Sequence, residues 1–254
     1  MTNYWNPAGP VSRLSLPPNC DQVGVQAVWI PVHDTSPVDE LPDLSQVPLV
    51  NQSEASTFVI PKRAHEHAAG RYALARLLQE NGLDPNELQI IRDENRKPSL
   101  IWNDNHVDTP LPEITIGHSG GIAIAAISID GTQIGLDAEP LEHPRQRNLL
   151  PMMASGVEYQ YLNDIWDLDA EIGMQEATRT WVMKEAVQKA CGYGMQIPPL
   201  SFNVLNKDEV ELSHDGQGFR LTTHHWLEHL MGQSFAFGFS RMLGSEAGSP
   251  LRAH

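Results

Sequence analysis

Cysteine is scarce: there are two in 254 residues, Cys20 and Cys191, far apart along the chain. A disulfide-stapled scaffold is thereby excluded. Basic blocks are missing as well. With 17 Lys and Arg against 32 Asp and Glu, the formal net charge is −15 and no run of lysines or arginines offsets it. A protein that works by neutralising phosphates along a nucleic acid is therefore not expected. Long apolar runs are absent too. The most apolar stretch, residues 114–129, is broken by His118, Ser119 and Ser128 and is shorter than the roughly 20 residues a membrane helix requires, so no membrane span is expected. Nor does the opening MTNYWNPAGPVSRLSL resemble a basic-then-apolar secretion signal, which makes the cytoplasm the expected compartment. What is present is enough chain for one large domain or two small ones, at ~100–200 residues each.

Nine of the nineteen prolines precede residue 62, and residues 34–54 mix Pro, Ser, Asp and Gln without a sustained period, so this segment reads as a long connector. Before it, residues 23–32 are rich in β-branched and apolar side chains and predict a strand. After it, Pro61 opens a helix that runs through Ala69, Tyr72, Ala73 and Leu77 to a stop at Asn81-Gly82. Short strands are predicted at 88–91, 114–116 and 122–129. The order then replays. A strand at 133–138 precedes an acidic loop and helix at 141–176. A helix at 177–190, closed by Cys191-Gly192, leads to strands at 202–205, 210–212, 219–222 and 234–240. The expected fold is α+β with two similar halves, 1–130 and 131–243, that arose by duplication and are related by a pseudo-two-fold axis. Residues 244–254 are expected to form a disordered tail. The internal two-fold makes a monomer the simplest expectation.

Asp137 and Glu139 sit two apart at the end of a predicted strand, so both side chains project from one face. Two carboxylates aimed at one spot repel unless a cation lies between them, and hard oxygen donors suit Mg²⁺ or Mn²⁺. On its own, a D-x-E pair is most often two solvated acids. Trp181, Glu185 and Lys189 recur every four residues and stack along one helix face. The plain reading is a Glu–Lys surface pair with Trp as core. What adds to it is the glycine-containing stop at 192–194, which suits close approach by a ligand or backbone. The segment 116–121 (IGHSGG) reads as a flexible turn whose bare amides, at Gly117 and Ser119, could reach phosphate oxygens while His118 supplies a side-chain donor. Other cations are few: Lys62 and Arg63 before the first helix, Arg71 within it, and Arg96-Lys97-Pro98 in a turn. In so acidic a chain, these are the positions where an anionic ligand finds partners.

Order and spacing join these signals. The runs GHSGG at 117–121, IGLDAE at 134–139 and WVMKEAVQKACGYG at 181–194, with K-R-x-x-E-x-x-A-G-R at 62–71 and RKP at 96–98, resemble the 4′-phosphopantetheinyl transferases. The likeness is to the long, pseudodimeric type first known from surfactin synthetase activation. The resemblance implies a two-halved transferase fold. It also implies transfer of the phosphopantetheine arm of coenzyme A to a serine of an acyl or peptidyl carrier protein, with release of adenosine 3′,5′-bisphosphate. It assigns Asp137, Glu139 and Glu185 to a bridging Mg²⁺, whose near-octahedral shell three carboxylates, two phosphate oxygens and a water would fill. Glu185 becomes the candidate base for the carrier serine, and Lys189 the group that neutralises or protonates the departing phosphate. His118 matches the family histidine near the 3′-phosphate of coenzyme A. Lys97, Arg63, Lys62 and Arg71 are further phosphate candidates.

The sequence departs from the family pattern in places. Gly117 stands where many members have Ser, which leaves only a backbone donor there. Ala138 between the two acids shifts metal binding onto Glu185. No Lys precedes Lys62, and Arg13 is the only Arg before it. Carrier proteins are usually acidic and this chain is acidic, so docking is expected to rest on apolar side chains such as Met152, Met153, Val157 and Tyr161 rather than on charge. Two other readings compete. One is a non-catalytic module that binds coenzyme A or a nucleotide. The other is a different Mg²⁺-dependent nucleotide enzyme, against which stands the absence of a G-x-x-x-x-G-K-[ST] loop.

Overall fold

The computed structural model describes residues 3–18, 24–36, 39–104, 109–142 and 146–247. Cys20, Val23, Arg145 and the last seven residues of the expected tail lie outside the described residues. The chain divides into two compact units, Met1–Glu94 with Pro98–Thr132, and Asn95–Lys97 with Gln133–His254. Both combine helices with antiparallel sheets, so the fold class is α+β. Among the described residues no helix is long and apolar enough to cross a membrane.

The first unit runs β1 (Ser12–Arg13), β2 (Val25–Pro31), α1 (Gln52–Ala55), α2 (Pro61–Glu80), β3 (Leu88–Arg92), β4 (Pro98–Trp102), β5 (Glu113–Ser119) and β6 (Ile122–Ser128). Its sheet has the order β1-β2-β6-β5, and β3 and β4 pair separately. Helix α2 starts at Pro61, whose fixed φ is pre-organised for a first turn. It ends where the Asn81 side chain donates to Leu77 O at 2.8 Å and Gly82 turns to φ +77°. Ala68, Ala69, Ala73, Leu74, Leu77 and Leu78 are completely buried in the core beneath it, where each fully buried leucine contributes ~1.5–3 kcal/mol. The glycine-rich segment departs from expectation. Gly117, His118 and Ser119 belong to β5, in register with Ile124, Ala123 and Ile122. Only Gly120 and Gly121 make the turn, at φ +55° and +83°, the paired positive angles a two-residue hairpin turn demands.

The second unit runs β7 (Ile134–Pro140), α3 (Leu150–Met153), α4 (Gly156–Leu168), α5 (Ala170–Cys191), β8 (Glu209–His214), β9 (Gln217–Leu230) and β10 (Gln233–Ala247), with sheet order β7-β10-β9-β8. Helix α5 begins earlier than its apolar pattern predicts, because the Asp169 carboxylate caps it by accepting from the amides of Glu171 and Ile172. It ends at Gly192, φ +80°, whose amide closes onto Gln188 and Lys189. Two expectations fail here. Residues 202–205 are not a strand, since side chains rather than a neighbouring strand take up the backbone of this loop, as described below. Residues 244–247 are not a disordered tail, since β10 stays paired with β9 as far as Ala247, opposite Gln217.

Candidate functional site

In β7, Gly135, Asp137 and Glu139 share one face, and the register places Asp137 opposite Gly238 and Gly135 opposite Ser240 on β10. The two glycines explain how α5 comes to lie there. A Cβ on Gly135 would collide with the backbone carbonyl of Ala186, and one on Gly238 with that of Val182. The helix backbone thus rests directly on the sheet. Lys189 on α5 then reaches β7, its Nζ donating to Asp137 Oδ1 at 2.8 Å and to Leu136 O at 3.0 Å. Burial pulls the Lys189 ammonium towards deprotonation, but the charges of Asp137, Glu185 and Glu139 outweigh it and hold the group above its ordinary range. Three carboxylates remote in sequence therefore act on one ammonium. Asp137 is 7% exposed, not the exposed acid a solvated pair would give. Trp181 is core, packed on the cluster of Leu150, Met153, Ala154, Leu162 and Ala177.

The orientation of α5 is fixed by a side chain next to Glu185 that the sequence reading passed over. Lys184 is fully buried, and its Nζ donates to Glu158 Oε2 (2.7 Å), Pro199 O (2.7 Å) and Phe202 O (2.5 Å). Glu158 Oε1 in turn accepts from Val204 N at 2.9 Å, and Gln188 Nε2 donates to Ile197 O at 2.6 Å. All three ammonium protons and four groups of the loop after α5 are thereby satisfied. Burial pulls Lys184 below the usual lysine range, with Glu158 opposing it. A lysine at helical spacing among buried Thr180, Val187 and Cys191 was the available signal, since such a face requires an internal partner.

The first unit gathers the other candidates. Arg71 is 3% exposed. Its Nη2 lies 3.7 Å from Glu54 Oε2, and Arg92 Nη2 lies 3.2 Å from Glu54 Oε1. Arg71 Nη1 and His67 Nε2 are buried with no hydrogen-bond partner among the described residues. Burial and the neighbouring Arg92 pull Arg71 down to about 10 despite Glu54, which leaves it charged at neutral pH. Burial, then Arg71, pushes His67 down to about 4, which leaves it neutral. His118 Nδ1 and Lys62 Nζ both approach Glu66, at 3.4 and 3.8 Å, and Arg63 is exposed. Arg92, Glu54 and His67 were not singled out from sequence. They are scattered over a strand, the connector and a helix, and only the fold assembles them.

Lys97 belongs with the second unit. Its stem lies on Gly192, where a Cβ would come 2.9 Å from Lys97 Cδ. With its amide turned to satisfy both neighbours, Gln133 donates to Ala190 O (3.1 Å) and accepts from Lys97 Nζ (3.2 Å).

Among the described residues no group of three or more His, Cys, Asp or Glu side chains is set to hold a metal ion. Lys189 instead pairs with Asp137, with Glu185 and Glu139 adding to the attraction. The donor set nonetheless fits a hard divalent ion. It is made of carboxylate oxygens, and Asp137 Oδ2 is buried without a partner, an acceptor that a cation would satisfy.

Against known proteins, residues 133–239 match the family model of the 4′-phosphopantetheinyl transferase superfamily. The matched segment contains Asp137, Glu139, Lys184, Glu185 and Lys189. No curated protein matches the chain.

Proposed function

We propose that this protein transfers the 4′-phosphopantetheine arm of coenzyme A to a serine of an acyl or peptidyl carrier protein, in a Mg²⁺-dependent reaction. The observation that carries the reading is the contact of Lys189 with Asp137 across α5 and β7, with the charges of Glu185 and Glu139 acting on the same ammonium, within the segment that matches the transferase superfamily. We further assign the chain to the long, two-halved kind, on the ground that each unit has its own helix packed on a sheet whose first long strand pairs with its last.

Asp137, Glu139 and Glu185 would hold the Mg²⁺, which when bound supplies neutralisation of pyrophosphate charge. In the reaction the carrier serine oxygen forms a bond to the phosphorus that bears pantetheine, the pyrophosphate P–O bond breaks, and adenosine 3′,5′-bisphosphate leaves. Glu185 accepts the serine proton. Lys189, held by Asp137 at the end of α5, offsets the charge that grows on the departing phosphate, and such positioned charge is most of what phosphoryl transfer needs. Arg71, Lys62, Arg63, His118, Lys97 and the Gly117 and Ser119 amides are assigned to the phosphates of coenzyme A. For carrier docking, Met152 and Val157 are exposed and Tyr161 is half-buried. Met153, at 2% exposure, packs in the core with Leu150 and Leu162 and is withdrawn from that surface.

The test is intact-mass measurement of apo carrier domains incubated with the protein, coenzyme A and Mg²⁺. At least one of a fatty-acid, a polyketide and a peptide carrier gains the mass of phosphopantetheine. Unchanged mass for all three overturns the proposal in favour of a binding module.

A further inference from the structure

The first unit carries a charge arrangement that its packing does not require. Arg71 lies on α2 with 97% of its surface removed from solvent, since only 3% remains exposed. A buried guanidinium ordinarily closes its donors onto carboxylates or carbonyls. Here, among the described residues, Nη1 has no partner, and neither has Nε2 of His67 one helical turn earlier. The carboxylate present, Glu54, is divided between two guanidiniums. Its oxygens stand 3.7 Å from Arg71 and 3.2 Å from Arg92, against ~2.7–2.9 Å for a close charge-assisted bond. At 3.7 Å the Arg71 contact is an electrostatic attraction without a hydrogen bond. The site is therefore too wide for the anion that occupies it.

Glu54 reaches this place from the connector. It lies on α1, a single turn capped by Asn51, whose side chain accepts from the amides of Ser53 and Glu54. Phe58, just after that turn, packs on the His67 ring with centroids 5.0 Å apart. Ala55 packs partly buried against the core and Gln52 donates to Leu44 O at 3.2 Å, so the turn itself is anchored, whereas the Glu54 carboxylate is held by its two ion pairs with the arginines.

We infer that Arg71 and Arg92 form a phosphomonoester site in which Glu54 is a resident stand-in anion that the ligand displaces, so that Glu54 sets how strongly the site selects a phosphate. A phosphate carries about −1.5 to −2 charge and three acceptor oxygens. It can serve both guanidiniums and the open Nη1 at once, which a single carboxylate at these distances does not. A ligand without the phosphate leaves Glu54 in place and gains nothing there. The inference rests on the coenzyme A reading, since coenzyme A bears a 3′-phosphomonoester, and it adds Glu54 and Arg92 to the residues assigned above.

The test is calorimetric titration of the full chain with adenosine 3′,5′-bisphosphate, adenosine and inorganic phosphate. Glu54→Gln tightens the bisphosphate by about tenfold, the scale of one charge-assisted contact, and leaves adenosine within twofold. Arg92→Gln weakens the bisphosphate by a similar factor. Glu54→Asp, which keeps the charge but withdraws it by one methylene, gives an intermediate gain and decides the matter if Glu54→Gln does not fold. Unchanged or weaker bisphosphate binding in the folded Glu54 variants overturns the inference, because Glu54 then only braces the arginines. Inorganic phosphate bound by the wild type as tightly as the bisphosphate overturns the coenzyme assignment of the site. The two proposals fail separately: carrier modification by the wild type without a Glu54 effect removes only the stand-in, and a Glu54 effect without carrier modification removes only the transferase.

Discussion

Helices α2 and α5 hold corresponding places in their units. Each packs on a sheet whose first long strand pairs with its last, β2 with β6 and β7 with β10, and whose last strand pairs with the one before it. Their charges are opposite in kind. Around α2, two guanidiniums share the Glu54 carboxylate. Around α5, three carboxylates act on the Lys189 ammonium. The contrast extends to the two most deeply buried cations. Lys184 has a partner for every proton, whereas Arg71 keeps an unpartnered nitrogen. A buried charge that is fully satisfied is an internal tie of the fold, and one that is left open is poised for something that arrives later. A helix packed on a sheet thus carries guanidiniums around a carboxylate in one unit and carboxylates around an ammonium in the other.

The largest effect expected from breaking this comparison is at the satisfied cation. Lys184→Met leaves Glu158, 1% exposed, as an uncompensated buried carboxylate, and destabilisation of ~3–5 kcal/mol is expected in chemical denaturation. Pairing it with Glu158→Leu removes both charges and restores most of that loss. If the double variant is as unstable as the single one, the pair is not an isolated tie, and the loop at 199–204 depends on the hydrogen bonds themselves.

Next in size is Asp137→Asn, which keeps the shape of the side chain while removing one of the charges around Lys189. Loss of an electrostatic group at a reacting centre lowers turnover by about 10²–10³-fold, or ~2.7–4 kcal/mol. That drop is expected in kcat for carrier modification with a near-native melting curve. A matching drop in stability would mean that Asp137 acts mainly as the partner that keeps Lys189 buried.

The residues of the second-unit site were legible in the sequence because strand and helix periodicities are local. An i, i+2 pair on a strand and an i, i+4 pair on a helix fix a shared face before any tertiary contact is known. Asp137 with Glu139, and Glu185 with Lys189, each share a face by those rules, while the resemblance to the transferases joined the two pairs; the terminations of α2 at Asn81-Gly82 and α5 at Gly192 are local too. Lys184 could have been found the same way and was not, because its neighbour Glu185 offered the more obvious chemistry. Glu54 and Arg92 had no local signal. Their meeting at Arg71 depends on where a proline-rich connector and the end of β3 come to rest, which no period encodes. The strand expected at 202–205 failed for a related reason. Apolar residues there are buried as a strand would bury them, but Lys184 and Glu158, distant in sequence, take the backbone groups that a neighbouring strand would have paired.

The smallest effects test whether the two helices sit on their sheets with equal tolerance. Both seams use glycine, but they meet different atoms. A Cβ at Gly135 strikes the backbone of α5 at Ala186 and, at 2.7 Å, Ala190 N, while one at Gly70 on α2 meets Ile116 Cγ2 on β5 at 2.8 Å. Backbone cannot yield without moving the helix, so Gly135→Ala is expected to destabilise by ~3 kcal/mol, the upper part of the overpacking range. It should also lower carrier modification, since any lift of α5 draws Lys189 and Glu185 away from Asp137. At Gly70 the obstacle is the end of a side chain, and Ile116 is only partly buried, so it can rotate aside. Gly70→Ala also gains helix propensity of ~1 kcal/mol. The two contributions nearly cancel, and a change in stability below ~1 kcal/mol is expected. Equal losses at the two glycines would show that both helices are pinned by the same close approach, and that the units differ in charge alone.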